Sequence, residues 1–137
     1  MELSCRGRYA TRAMIELATS EPGKPVPLSI IAENQEISRK YLQQLMAGLR
    51  RSGLVHVVKG FKGGFMIARP AEEIRVGDIL RALEGDLALV ECVRHDNICD
   101  RTDGCRTRGL WAQASKLLED YFDSVTLADL AAGEIEG

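Results

Sequence analysis

The chain has 137 residues, 45% apolar and 28% charged, with a formal net charge of −2, which excludes disordered and collagen-like classes and leaves one globular domain, or one and a half, able to bury a core unaided. No run approaches the ~18 apolar residues of a membrane span, and Met1-Glu2-Leu3-Ser4-Cys5-Arg6-Gly7-Arg8 lacks a signal-peptide core, so a cytoplasmic chain with reduced thiols and no membrane partner is expected. Residues 1–75 carry 12 Lys and Arg against 7 Asp and Glu, net +5, while residues 76–137 carry 6 against 13, net −7, which points to a polyanionic partner for the first part alone.

Residues 2–19 read as a helix, because Ala10, Ala13, Met14 and Leu17 recur at helical spacing. Arg6, Arg8, Arg12 and Glu16 fall mostly elsewhere on the wheel. Glu21-Pro22-Gly23-Lys24-Pro25 is a break. Pro27 suits the start of a short helix with Leu28, Ile30, Ile31 and Ala32, ending at Asn34-Gln35-Glu36. Ser38 can cap the next helix, and Ser52-Gly53 ends it. One face of that helix holds Leu42, Leu45, Met46 and Leu49; the other shows Arg39, Lys40, Gln43 and Gln44. Two short helices around a tight turn outline a helix-turn-helix.

Residues 54–59 and 65–69 then switch to strand character around Gly60-Phe61-Lys62-Gly63-Gly64, a hairpin with a glycine-rich, basic tip. Phe61 at that tip either packs back on the hairpin or lies against the sugar of a bound nucleic acid. Helix-turn-helix followed by a basic hairpin is the winged-helix arrangement. Pro70 ends the second strand, and residues 76–85 form a short helix closing at Gly85.

Residues 86–108 lose periodicity and contain Cys92, Cys99 and Cys105; the fourth cysteine, Cys5, reads as a small, half-buried residue of the first helix. Such a cluster in a reduced compartment indicates metal or redox chemistry before disulfides. The spacing Cys92-x2-His95-x3-Cys99-x5-Cys105 supplies three sulfurs and one nitrogen, enough for tetrahedral zinc. From Leu110 to Val125 the apolar positions step by three and four, which is a strongly amphipathic helix. A second copy of the chain is the economical cover for Leu110, Trp111, Leu117, Leu118, Tyr121 and Phe122, so a homodimer is expected. Thr126-Leu127-Ala128-Asp129-Leu130 reads as a final helical turn.

The expected fold is mainly α with a small β-hairpin. Residues 1–85 would be a winged helix-turn-helix domain and 86–108 a cysteine-rich loop. Residues 109–130 would be a dimerisation helix with its final turn, and 131–137 a frayed tail. Arg39 and Lys40 suit phosphate or guanine, and Gln43 and Gln44 suit adenine, at the start of a helix entering the major groove of double-stranded DNA. Ser38 offers phosphate a hydroxyl or N–H. Lys59 and Lys62 on the wing, and Arg6 and Arg8 on the first helix, add backbone contacts. A dimer would read a palindromic operator. No nucleophile–base pair, phosphate loop or paired carboxylates stand out, so an enzyme is not expected; a small redox or electron-transfer protein would use the same cysteines but has no need of the wing.

Leu3-Ser4-Cys5-Arg6-Gly7-Arg8-Tyr9-Ala10 resembles the opening of the Rrf2 family of bacterial winged-helix transcription regulators. So do Ile37-Ser38-Arg39-Lys40-Tyr41-Leu42-Gln43-Gln44-Leu45, the glycines from Gly60 to Gly64, Val76-Gly77-Asp78-Ile79, and Thr126 to Leu130. The resemblance runs from residue 3 to about 130, with its motifs in family order. Cysteines placed as Cys92, Cys99 and Cys105 are similar to those of the branch that binds an iron–sulfur cluster, closest to the iron–sulfur cluster assembly regulators. The resemblance implies a repressor of cluster biogenesis genes whose DNA binding depends on a [2Fe–2S] cluster, in preference to [4Fe–4S]. Relatives that sense nitric oxide or iron offer another signal, and structural zinc another occupant.

Thiolates suit iron and sulfide, and clusters normally take four ligands. The candidates for the fourth are His95, which we favour, Asp96, Asp100, Asp103, Cys5 of a partner, and an exogenous molecule. The cluster-assembly regulators often carry His where this chain has Arg108. The nitric-oxide sensors have an acidic residue where Arg8 stands. Gln43 and Lys59 replace a usual Glu and a usual Arg.

Overall fold

The apolar spacings translate directly into packed helices. The computed structural model describes residues 3–95 and 104–137. In chain order it contains α1 (Cys5–Thr19), α2 (Leu28–Gln35), α3 (Arg39–Arg51), β1 (Val55–Val58), β2 (Gly64–Ile67), a 3-10 turn (Ala71–Glu73), α4 (Val76–Glu84), α5 (Glu91–Arg94), α6 (Arg108–Ser124) and α7 (Leu127–Ala131). The fold is mainly helical with a single two-stranded antiparallel hairpin, as expected. No helix among the described residues is long and apolar enough to cross a membrane.

The first helix starts later than its apolar pattern suggests. Ser4 is extended at the N-cap position. The Glu84 carboxylate of α4 accepts hydrogen bonds from the Ser4 hydroxyl and from the Gly7 N–H, the latter at 3.2 Å. A carboxylate at a helix N-terminus satisfies orphan donors and complements the helix dipole. Pro27 is the N-cap of α2 and not its first helical residue. That helix ends at Glu36, which takes the left-handed conformation with φ 55°. Ser38 caps α3 as its residue type predicts: its hydroxyl accepts from the Tyr41 N–H at 3.2 Å.

The hairpin pairs Val55 with Ile67 and Val58 with Gly64. Val26, from the α1–α2 connection, adds a short third edge by exchanging two hydrogen bonds with Phe65, at 2.9 and 2.8 Å. Gly64 has to be glycine here, since a Cβ would overlap the Val26 carbonyl.

One core joins these elements. Ala10, Met14 and Leu17 of α1, Ile31 of α2, Leu42, Leu45, Met46 and Leu49 of α3, and Ile79 and Leu83 of α4 are all buried in it. Leu127 of α7 is buried in the same core. The Leu127 N–H donates to Ile74 O at 2.7 Å and the Val76 N–H to Val125 O at 2.9 Å. Thr126 and Asp129 form a reciprocal capping box that starts α7. The final turn therefore belongs energetically with the winged helix, although it follows α6 in sequence.

Candidate nucleic-acid interface and cysteine segment

The first half of α3 presents Ser38, Arg39, Lys40, Gln43 and Gln44 as one exposed polar surface, with Leu42, Leu45 and Met46 turned into the core. Helical spacing separates the two sets, because residues three and four apart share a face. Arg50 and Arg51, which are not among the DNA-binding candidates read from the sequence, are exposed at the other end of α3. They line a groove between α3 and the wing together with Gln43, Ala47, Val57 and Phe65. The adjacent basic pair before Ser52-Gly53 was the signal for them.

Lys59 and Lys62 are exposed at the tip of the wing. Phe61 is exposed at 102%, so it does not pack back on the hairpin. Arg6 and Arg8 lie exposed on the first turns of α1. Tyr9 meets Tyr41 edge-to-face with ring centroids 6.1 Å apart, which sets this half of α1 beside the first turn of α3. Arg12 reaches over the Tyr9 ring at 5.4 Å and donates to Gln35 O at 2.8 Å and to Gln35 Oε1 at 3.0 Å. It thus closes the end of α2 just before the turn into α3. Arg8 also donates to Cys5 Sγ at 3.3 Å, and Cys5 is exposed and not half-buried.

The cysteine segment is anchored at both ends. Cys92 sits half-buried in α5, and Cys105 is half-buried ahead of α6. Arg108, in the first turn of α6, donates from Nε and Nη2 to Cys92 O at 3.2 and 3.1 Å. The base of the loop is therefore closed by Arg108. Arg94 holds the other side, donating to Asp86 O at 3.2 Å, Ala88 O at 3.1 Å and Glu91 Oε1 at 2.8 Å. His95 is exposed and ends α5, its N–H on Glu91 O at 2.8 Å. Cys99, Asp96, Asp100 and Asp103 lie outside the described residues. Among the described residues no group of three His, Cys, Asp or Glu side chains converges on a metal position. Two thiols at the ends of a loop closed by Arg108 nevertheless fit a soft-metal or cluster site in donor type.

Helix α6 divides its apolar residues between two faces. Leu110, Leu117 and Tyr121 are exposed at 58%, 71% and 54%. Leu118 and Phe122 are half-buried, and Phe122 lines an apolar pocket of its own chain with Thr11, Val76, Val125, Leu130 and Ile135, a pocket that the exposed Tyr121 also borders. Trp111, at 39% exposure, falls on the same helical face as Ser115, Leu118 and Phe122. Ser115 is buried: its hydroxyl donates to Trp111 O at 2.7 Å and accepts from the Leu89 N–H at 2.9 Å. Arg81 of α4 forks onto the Asp123 carboxylate of α6 at 2.8 and 2.9 Å.

A capped helix-turn-helix, a basic glycine-tipped wing and a basic helix face define a winged-helix DNA-binding protein. The chain belongs to the Rrf2 family: residues 3–133 match the family described as an iron-dependent transcriptional regulator. It is 38% identical over 130 residues to the HTH-type transcriptional regulator IscR of Serratia proteamaculans, covering 95% of this chain and 79% of the relative. It is 40% identical to the protein rrf2 of Nitratidesulfovibrio vulgaris, covering 95% and 87%. The structure resembles that of CymR, the global cysteine regulator of B. subtilis, with a TM-score of 0.82, 33% identity and coverage of 96% and 97%. It resembles IscR of T. potens with a TM-score of 0.80, 38% identity and coverage of 98% and 89%. The chain is thus a transcriptional regulator and not an enzyme.

Proposed function

We propose that this chain acts as a homodimer on a palindromic operator and that Cys92, Cys99 and Cys105 hold an iron–sulfur cluster, [2Fe–2S] in preference to [4Fe–4S]. Its role would be repression of cluster biogenesis genes. The observation that carries the cluster reading is the closed base of the cysteine loop, Arg108 on Cys92 O, set against the start of α6. Thiolates in such a loop are the ligands that iron–sulfur clusters take, and IscR is among the relatives. Arg108 and Arg94 would offset the charge of the thiolates and hold the ends of the loop.

The bound cluster would supply a redox-sensitive, labile centre whose presence orders the loop. The residues of the chain do the rest. Ordering the loop favours one placement of α6, and the Arg81–Asp123 pair ties α6 to α4. Glu84 ties α4 to the start of α1, and Tyr9 ties α1 to Tyr41 of α3. A ligand shifts a conformational equilibrium only by its differential affinity for the two states. Cluster-free protein would therefore still bind DNA, with altered site choice. The exposed stripe of Leu110, Leu117 and Tyr121 supports α6 as the dimer contact.

The test is anaerobic purification with a visible spectrum and iron, sulfide and zinc analysis. Brown protein with equal iron and sulfide, two of each per chain, is expected. One zinc per colourless chain would replace the cluster with a structural site. Substituting Cys92, Cys99 and Cys105 with Ala should remove the colour and keep the fold; unchanged DNA selection in that variant would refute the coupling.

A further inference from the structure

Phe61 has no role in the fold. Among the described residues it is the one exposed aromatic outside α6, and its exposure is complete. The turn that carries it is tight. Gly63 N–H donates to Gly60 O at 3.0 Å, which puts Phe61 and Lys62 at the two central positions of a β-turn. Gly60 takes φ 113°, and a Cβ on Gly63 would overlap Val58 O. Glycines on both sides leave no side chain for the ring to fold back on. Gly64 is pressed against Val26, so the base of the wing is braced from behind. The hairpin thus holds a phenyl ring outward on a short, stiff support between two exposed lysines, Lys59 and Lys62.

We propose that Phe61 is a wedge for the DNA minor groove beside each half-site, and that it unstacks one base step and bends the duplex there. This rests on the reading in which α3 enters the major groove. The charge pattern selects the occupant: lysines on either side of the ring suit phosphates on the two rims of a narrow groove, and the ring faces its floor. Apolar wedges, Phe among them, are inserted between base steps by minor-groove proteins and kink the duplex by about 20–90°. Pyrimidine–purine steps unstack most readily. The wedge therefore adds specificity at a flanking position that no side chain reads by hydrogen bonding, with a preference for TpA or CpA there.

The probes are duplexes recovered by the wild-type protein from a random-sequence library. A fluorescent adenine analogue, 2-aminopurine, is placed at successive flanking positions, and bending is read by circularly permuted gel shift. Wild type is expected to raise the fluorescence at one flanking step per half-site and to bend the duplex. Phe61→Ala is expected to lose both effects and to bind on the order of tenfold more weakly, the scale of a lost base–aromatic contact. It should select the same half-site cores with the flanking preference gone. Phe61→Leu, which keeps an apolar wedge, should retain part of the bend. Equal bending and fluorescence in wild type and Phe61→Ala would overturn the wedge. Arg39→Ala with Gln43→Ala should abolish selection of the core sequence whatever happens at Phe61. If that double variant selects normally, the major-groove reading fails and the wedge with it.

Discussion

Gly77 carries no side chain because the Asp123 carboxylate lies where its Cβ would stand. That approach lets Arg81 and Asp123 meet across 42 residues of sequence. The Arg81 hydrogen bonds hold the Asp123 carboxyl below the usual carboxylate range; partial burial opposes the shift, and the charges of Arg81 and Arg75 add to it. Both side chains are about one-third exposed, at 37% and 33%, so water screens the pair and about 1 kcal/mol is a fair scale. A carboxyl depressed in the folded state stabilises above its unfolded value and loses that contribution as pH falls through its folded one. Asp123→Asn should therefore cost about 1 kcal/mol in urea unfolding at pH 7, and the difference should begin to shrink as pH falls below about 4 and vanish only below the depressed folded value. A difference that ignores pH would assign the residue to packing. At the other end of the molecule, Ser38→Ala removes the cap of α3. A loss of about 1 kcal/mol is expected, read as a Tm lower by about 3–5 °C; an unchanged Tm would mean that water replaces the hydroxyl.

At the scale of the element, α6 shows what a sequence pattern can and cannot say. Its three-and-four spacing marks a helix, but a wide apolar stripe does not state how it is shared between its own core and a partner. Leu110 and Leu117 face solvent, Tyr121 is exposed at the rim of an apolar pocket, and Phe122 lines that pocket against α1, α4 and α7. Leu117→Asp should therefore yield a folded monomer by analytical ultracentrifugation, if the exposed stripe makes the dimer. Phe122→Ala should instead lower stability by about 2 kcal/mol, with the oligomeric state kept. A dimer that survives Leu117→Asp would move the interface elsewhere. Helices α1, α3 and α4 and the hairpin were legible because their apolar faces, caps and glycines are local signals. Helix α5 was not, since four residues carry no period and Arg94 holds the segment through contacts to Asp86 and Ala88. The polar face of α3 could be read residue by residue. The position of Arg6 and Arg8 beside it could not, because it depends on the Tyr9–Tyr41 contact across two helices. The closure of the cysteine loop by Arg108 was hidden for a similar reason: its partner is a backbone carbonyl 16 residues away.

At the scale of the whole molecule, most basic residues of the first 75 sit on α1, α3 and the wing, and the acidic excess belongs to residues 76–137. Such a division orients the protein on a polyanion, since the wrong end is repelled. Each phosphate neutralised by Lys or Arg steepens the salt dependence of binding by about 0.9 in log–log slope. Lys62→Ala should thus flatten the slope by about two in a dimer, one phosphate for each protomer; an unaltered slope would place Lys62 off the DNA. The two ends of the molecule are linked by Glu84. Its carboxylate is the C-terminal contact of α4 and the N-terminal cap of α1, and α1 in turn leans on the start of α3. If the cluster acts through this path, Glu84→Ala should leave iron and sulfide per chain unchanged and shrink the difference in DNA selection between cluster-loaded and cluster-free protein. A cap that serves only stability makes a different demand: its loss weakens DNA binding in both forms by the same factor and leaves their difference intact. The ratio of the two affinities, measured on the same duplex at fixed salt, therefore separates transmission from support.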